Sequence, residues 1–142
     1  MQKKIGKKRL PILTSHAALF GVASELSRRG YVVAFTIGNT PRIDLLCTVP
    51  DGKTFKVQVK GIANKAGFYV QEKFFTAKSQ ADLYLVIVYI PKIGDDSHCE
   101  FFVLSHKDAI EENRKMPGLD YGLNWGSITP YRNDWGKFPS IS

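Results

Sequence analysis

The segment RIDLLCTVPDGKTFKVQVK, residues 42–60, decides how this chain folds. Two apolar runs flank Pro50-Asp51-Gly52, so the segment reads as a β-hairpin whose register depends on the turn. A two-residue Asp51-Gly52 loop would set Ile43 against Lys60 and Leu45 against Gln58, mixing apolar and polar side chains on both faces. A three-residue loop, Pro50-Asp51-Gly52, is a type I turn with glycine in the left-handed position. Proline suits the first corner of that turn and glycine tolerates the positive φ. The three-residue turn sorts the hairpin cleanly. Ile43, Leu45 and Cys47 then face Val59, Val57 and Phe55, while Arg42, Asp44, Leu46 and Thr48 face Lys60, Gln58, Lys56 and Thr54. A one-residue slip would bury the charges, so the apolar pattern selects the three-residue turn.

In that register Asp44 lies opposite Gln58, with Lys60 on the diagonal, roughly 7–8 Å away between backbones and within a lysine's reach. An acid, an amide and an ammonium share one face. Such a face is either solvated, with a surface ion pair worth under about 1 kcal/mol, or it is a reactive site. Asp44 stands inside the apolar string Ile43-Asp44-Leu45-Leu46, where a purely structural strand rarely places an acid. The Gly38-Asn39-Thr40-Pro41 turn before it leaves an open approach.

Working outward, a helix is expected from about Ser15, a plausible N-cap, to Arg29. Leu19, Val22, Ala23 and Leu26 lie on one stripe of it, and Gly30 ends it. Tyr31–Ile37 reads as a strand, and a short extended piece is expected near 68–72. Ala81–Ile90 is apolar nearly throughout, as a central strand buried on both faces should be. Glu100–Leu104 is a further strand, and Ser105 with Asp108 can cap a helix running to about Met116. The Gly-, Pro-, Trp- and Tyr-rich tail from Pro117 looks irregular, with Trp125, Trp135, Tyr121 and Tyr131 laid over the core. The sum is an α/β or α+β domain, a mixed sheet flanked by helices.

The chain has 142 residues, 44% of them hydrophobic, which suits one folded domain with its own core. The expected division is a basic N-terminal arm over 1–14 and a single domain over 15–142. The formal charge of +7 favours a polyanionic partner, and residues 1–9 hold five of the twenty basic side chains. That arm is either a frayed, solvated terminus or a grip on a nucleic-acid backbone. Basic MQKKIGKKR followed by LPILTSHAALFGVAS has the outline of a secretion signal. Pro11, Thr14, Ser15 and His16 interrupt it, however, and the apolar phase continues into Glu25–Arg29. No run approaches a membrane span. Two cysteines, Cys47 and Cys99, without CxxC spacing make no disulfide framework, so a cytoplasmic location is expected. His16, His98 and His106 show no zinc-ligand spacing. No P-loop is present, and Ser24 and Ser105 lack triad partners.

The order FGVASELSRRGY, strand, IDLL, PDGK turn and VQVKG resembles the PD-(D/E)XK nuclease superfamily, which includes restriction endonucleases and Holliday-junction resolvases. The likeness covers about residues 15–62 and weakens through 81–90 and FFVLS. It implies a restriction endonuclease-like core and a metal-dependent DNA endonuclease. Asp44 would be the metal-binding aspartate. Gln58-Val59-Lys60 would be the (D/E)-x-K tripeptide with glutamine in place of the acid, as in some homing endonucleases. Lys60 would position or help deprotonate the attacking water. Mg²⁺ or Mn²⁺ would rest on Asp44, the Gln58 amide oxygen and the Val59 carbonyl. The family's first helix often adds a glutamate, for which Glu25 is available. In many relatives that glutamate falls where Leu19 stands here, and Glu25 would then be an ordinary partner of a neighbouring arginine. Arg28, Arg42, Lys56 and Lys65 would contact phosphates of double-stranded or branched DNA. A homodimer is expected, since cutting two strands takes two sites. With Gln58 replacing an acid and Leu19 at the helix position, the alternative is a catalytically inactive DNA- or RNA-binding module.

Overall fold

The computed structural model describes residues 7–36, 44–116 and 121–141. The first helix, α1, spans Pro11–Arg28, one turn earlier than a Ser15 cap would allow. Proline at the first helical position has no N–H to leave unpaired and a φ already suited to the helix. Thr14, Ala18, Val22, Ala23 and Leu26 are buried at helical spacing, so the stripe begins at Thr14 and residues 11–14 belong to the helix rather than to the arm. Gly30 follows with φ +100°, a value glycine adopts without strain.

Strand β1 is Val32–Phe35, β2 is Leu45–Thr48 and β3 is Thr54–Ile62. The β2–β3 register is Leu45↔Val57, Leu46↔Lys56, Cys47↔Phe55 and Thr48↔Thr54, as the three-residue turn requires. Gly52 takes φ +95°, its N–H donates to the Val49 carbonyl, and Val49 N–H donates to Lys53 at 2.9 Å. Leu45, Cys47, Phe55 and Val57 are at most 1% exposed. Ile43 and Arg42, the expected continuation of the ladder, lie outside the described residues.

Strands β4, Phe68–Tyr69, and β5, Leu83–Tyr89, come next, separated by the short helix α2, Glu72–Thr76. Then follow β6, Glu100–Ser105, helix α3, His106–Arg114, strand β7, Gly122–Leu123, and the short helix α4, Trp125–Ile128. The main sheet has the order β1-β2-β3-β5-β6, and β4 pairs with β7 apart from it. Only β3 and β5 run parallel in the main sheet; its other pairs are antiparallel, so the sheet is mixed. Every residue from Leu83 to Val88 is buried. Tyr84, Val86 and Val88 pack with α1, whereas Leu83, Leu85 and Ile87 pack with Phe74, Ala109 and Ile128 on the other face. Helices therefore cover both faces, which explains the unbroken apolar run of β5. Among the described residues no helix is long and apolar enough to cross a membrane.

The α3 cap forms as its sequence indicates: Ser105 Oγ accepts from Asp108 N–H, and Asp108 Oδ2 accepts from Ser105 N–H, both at 3.0 Å. Asp108 also holds Lys137 at 2.6 Å, tying the tail to this helix. The tail is more ordered than its composition implies. Trp135 and Phe138 enter the α1-side core, and Trp125 packs edge-on against Phe102. His106, the first residue of α3, is fully buried. Its Nδ1 accepts from Gln80 N–H at 3.0 Å and its Nε2 lies 2.6 Å from the Phe74 carbonyl. Those partners require the neutral ring with its proton on Nε2. The imidazole is a structural clasp between α3 and the 74–80 segment.

Candidate functional site

The site begins where β2 leaves β3. Regular pairing stops at Leu45↔Val57. Asp44 N–H donates to the Val57 carbonyl at 2.9 Å, one residue out of step with the ladder. Its carbonyl accepts from Thr36 N–H at 3.1 Å, and its side-chain Oδ2 accepts from Val59 N–H at 2.7 Å. The carboxylate therefore bonds to the β3 backbone next to Gln58, a step beyond the direct opposition expected from the hairpin register. Burial raises the Asp44 pKa above its ordinary 3.8, and the Val59 N–H pulls it part of the way back.

A cleft of about 260 Å³ opens at this point. Asp44, Gln58, Val59 and Lys60 form one side, Ser15, His16 and Leu19 of α1 another, and Val70 and Gln71 the rest. The close approach of α1 to β3 is set by Gly61. A Cβ there would lie 2.8 Å from the Thr14 carbonyl oxygen and 2.9 Å from the Ala18 Cβ. Only glycine permits that contact, and it brings Ser15, His16 and Leu19 over the end of β3.

Two features separate this cleft from an ordinary surface. The Gln58 Oε1 is buried and has no hydrogen-bond partner among the described residues, a condition that costs about 1–3 kcal/mol in a folded protein and calls for an explanation such as a bound ion. Lys60 borders the cleft and also a neighbouring groove. Among the described residues it has no hydrogen-bond or ion-pair partner, Asp44 included.

Other expected site residues fall elsewhere. Glu25 is held by Arg28 at 2.9 Å and Arg29 at 3.4 Å, and it borders a different groove with His98 and Trp135. Spaced three and four residues from two arginines on one helix, it takes them as partners, so it is not part of the cleft. Leu19, at the position where the resemblance places a glutamate, does line the cleft and offers it no charge. Arg28 is engaged by Glu25. Lys56 donates to Gln80 Oε1 at 2.8 Å and pairs with Asp82 at 3.6 Å. Lys65 lies 3.8 Å from Glu100 and over the Tyr89 and Trp125 rings at 5.2 and 5.1 Å. Arg42 lies outside the described residues. Of the four cations expected on phosphates, the three described are engaged by neighbouring side chains away from the cleft.

As a cation holder the cleft is sparse. Among the described residues no group of three or more His, Cys, Asp or Glu converges. Asp44 with its carboxylate and Gln58 with its orphaned amide oxygen both line the cleft, a donor set that suits a hard, oxygen-seeking ion retaining several waters and does not suit zinc. Sequence reasoning missed Ser15 and His16 as cleft residues because it began the helix at Ser15. With the helix begun at Pro11, its phase could have placed them. Gly61 was the other available signal, since a glycine inside a strand marks close backbone approach.

No protein-family profile, curated protein or solved structure matches the chain significantly.

Proposed function

We propose that this chain is a divalent-metal-dependent endodeoxyribonuclease with a D…QxK variant of the PD-(D/E)XK site on a restriction endonuclease-like core. What supports it is that Asp44, Gln58 and Lys60 line one cleft, the Gln58 oxygen and the Lys60 ammonium without partners among the described residues. Asp44, Gln58 Oε1 and the Val59 carbonyl would hold Mg²⁺ or Mn²⁺. When bound, such an ion neutralises phosphate charge and lowers the pKa of water. The chain's own groups do the rest. Lys60 brings a mobile cation to a phosphate oxygen and steadies the attacking water. The Val59 N–H fixes the Asp44 carboxylate, and Leu19 excludes bulk water from the α1 side. The substrate is double-stranded or branched DNA, cut by a homodimer in a cytoplasmic setting.

A second reading, a nucleic-acid-binding module without catalysis, is favoured by one observation: among the described residues Asp44 is the sole carboxylate lining the cleft. Plasmid nicking separates the two. Wild-type protein with Mg²⁺ or Mn²⁺ is expected to nick supercoiled DNA, and Asp44→Ala and Lys60→Ala each to lower the rate at least ~100-fold, the scale of removing one electrostatic catalytic group. Calorimetry with Mn²⁺ should show binding lost in Asp44→Ala. Salt-sensitive DNA binding without cleavage under any divalent ion would establish the module instead.

A further inference from the structure

Beside the cleft, between residues 7–9, the start of α1 and the end of β3, lies a groove of about 410 Å³. Lys7, Lys8, Arg9, Lys60 and Lys92 line it, and among the described residues no acid does. We infer that this groove is a phosphodiester subsite that receives the nucleic-acid strand next to the phosphate lying in the Asp44 cleft, an inference that rests on the nuclease reading above.

Three observations carry it. First, the cations are brought together from separate parts of the chain and held there. Arg9 Nη2 donates to the Pro91 carbonyl at 2.6 Å, fixing the N-terminal segment against the loop after β5, and Lys92 is the next residue of that loop. Second, the charges are unmatched. Elsewhere Arg28 and Arg29 share Glu25, Lys56 has Asp82, and Lys137 has Asp108 and Asp134. Among the described residues Lys7, Lys8, Lys60 and Lys92 have no carboxylate partner. Five clustered cations repel one another unless an anion lies among them. Third, the groove is continuous with the cleft, because Ser15 and Lys60 border both.

The remaining lining identifies the ligand chemistry. Pro11, Thr14, Ala63 and Asn64 present no aromatic ring on which a base could stack. Phosphate contacts of this kind confer affinity and register but carry no sequence information. The groove therefore grips the backbone alone, and its contribution is the same on every sequence.

The test uses the full chain and the double variant Lys8→Gln/Lys92→Gln, two exposed positions away from Asp44, with circular dichroism to verify folding. Binding to two duplexes of unrelated sequence is measured in EDTA across a salt series. Loss of two phosphate contacts should reduce the slope of log K against log salt by roughly 2, equally on both duplexes, while Mn²⁺ affinity is unchanged. An unaltered slope with DNA-binding wild type overturns the subsite and leaves the nuclease reading intact. A reduced slope with no nicking by wild type under any divalent ion keeps the subsite and overturns the nuclease. Wild-type protein that retains neither DNA nor RNA overturns both.

Discussion

The two ends of the 45–57 hairpin obey different rules. At the turn end, Phe55 and Cys47 are sealed in the core, the glycine supplies the left-handed corner, and Lys53 N–H is taken up by Asp51 at 2.9 Å. At the open end a carboxylate is half-buried and, among the described residues, an amide oxygen is orphaned and a lysine stands without an acid. The first end holds the sheet together. The second gives up some stability and leaves polar groups unmatched, the pattern that the proposed site would explain, since local consistency yields where function intervenes.

The contrast can be broken most forcefully by large-to-small substitution. Phe55→Ala should cost about 3–5 kcal/mol in chemical denaturation, because the ring packs on Tyr31, Tyr84 and Phe138. Gln58→Leu should be neutral or stabilising by up to about 1 kcal/mol, since it removes an unsatisfied acceptor, while weakening Mn²⁺ binding. Equal losses at the two positions would erase the distinction. Gly61→Ala comes next. Its methyl meets helix backbone rather than a flexible side-chain end, so about 1–3 kcal/mol should be lost, accompanied by loss of Mn²⁺ affinity as α1 is pushed from the cleft.

The smallest effect sharpens the comparison through pH. Burial raises the Asp44 pKa in the folded chain, so the unfolded chain gives up that proton more easily. The resulting penalty is absent well below the usual 3.8, grows as pH rises through the folded value, and persists above it. Asp44→Asn should therefore unfold at a slightly higher temperature than wild type at pH 7, with the difference vanishing below about pH 3.8. Mn²⁺ should raise the melting temperature of the wild type alone. A variant less stable at pH 7 would show that the carboxylate is structural. Asp108 has the opposite sign: burial alone would raise its pKa, but Lys137 and Ser105 hold it low. Its contribution is present above 3.8 and fades as acid carries pH through the lower folded value.

Much of this was legible because local chemistry and global packing agree. Pro50-Asp51-Gly52 dictates a turn, the turn dictates parity, and parity places Leu45 and Val57 inside. The same holds for the unbroken run of β5 and the Ser105–Asp108 cap. What escaped reading has a common cause. Helices α2 and α4 are single turns, too short to express a 3.6-residue period, and they form because Phe74, Phe75 and Ile128 are drawn into the core. His106 sits at a helix start, where a histidine usually meets water, and only tertiary contact with Phe74 and Gln80 reveals its clasp. The partners of Lys56 and Lys65, Asp82 and Glu100, lie far along the chain, so a list of cations could not foretell which would remain free, whereas the pairing of Glu25 with arginines on its own helix was legible in their spacing.

One consequence of the parallel pairing concerns mechanics. Gln58, Val59 and Lys60 are zipped to Leu85, Val86 and Ile87 at the middle of the sheet, so moving them means tearing its interior. Asp44 precedes the short strand β2 and is moored chiefly to β3, through the Val57 carbonyl and the Val59 N–H, with one further bond from Thr36 N–H on the rim side. The carboxylate, amide and lysine that line the cleft are thus all anchored on or against the strand at the centre of the sheet, so the wall they form can shift little without breaking the pairing behind it.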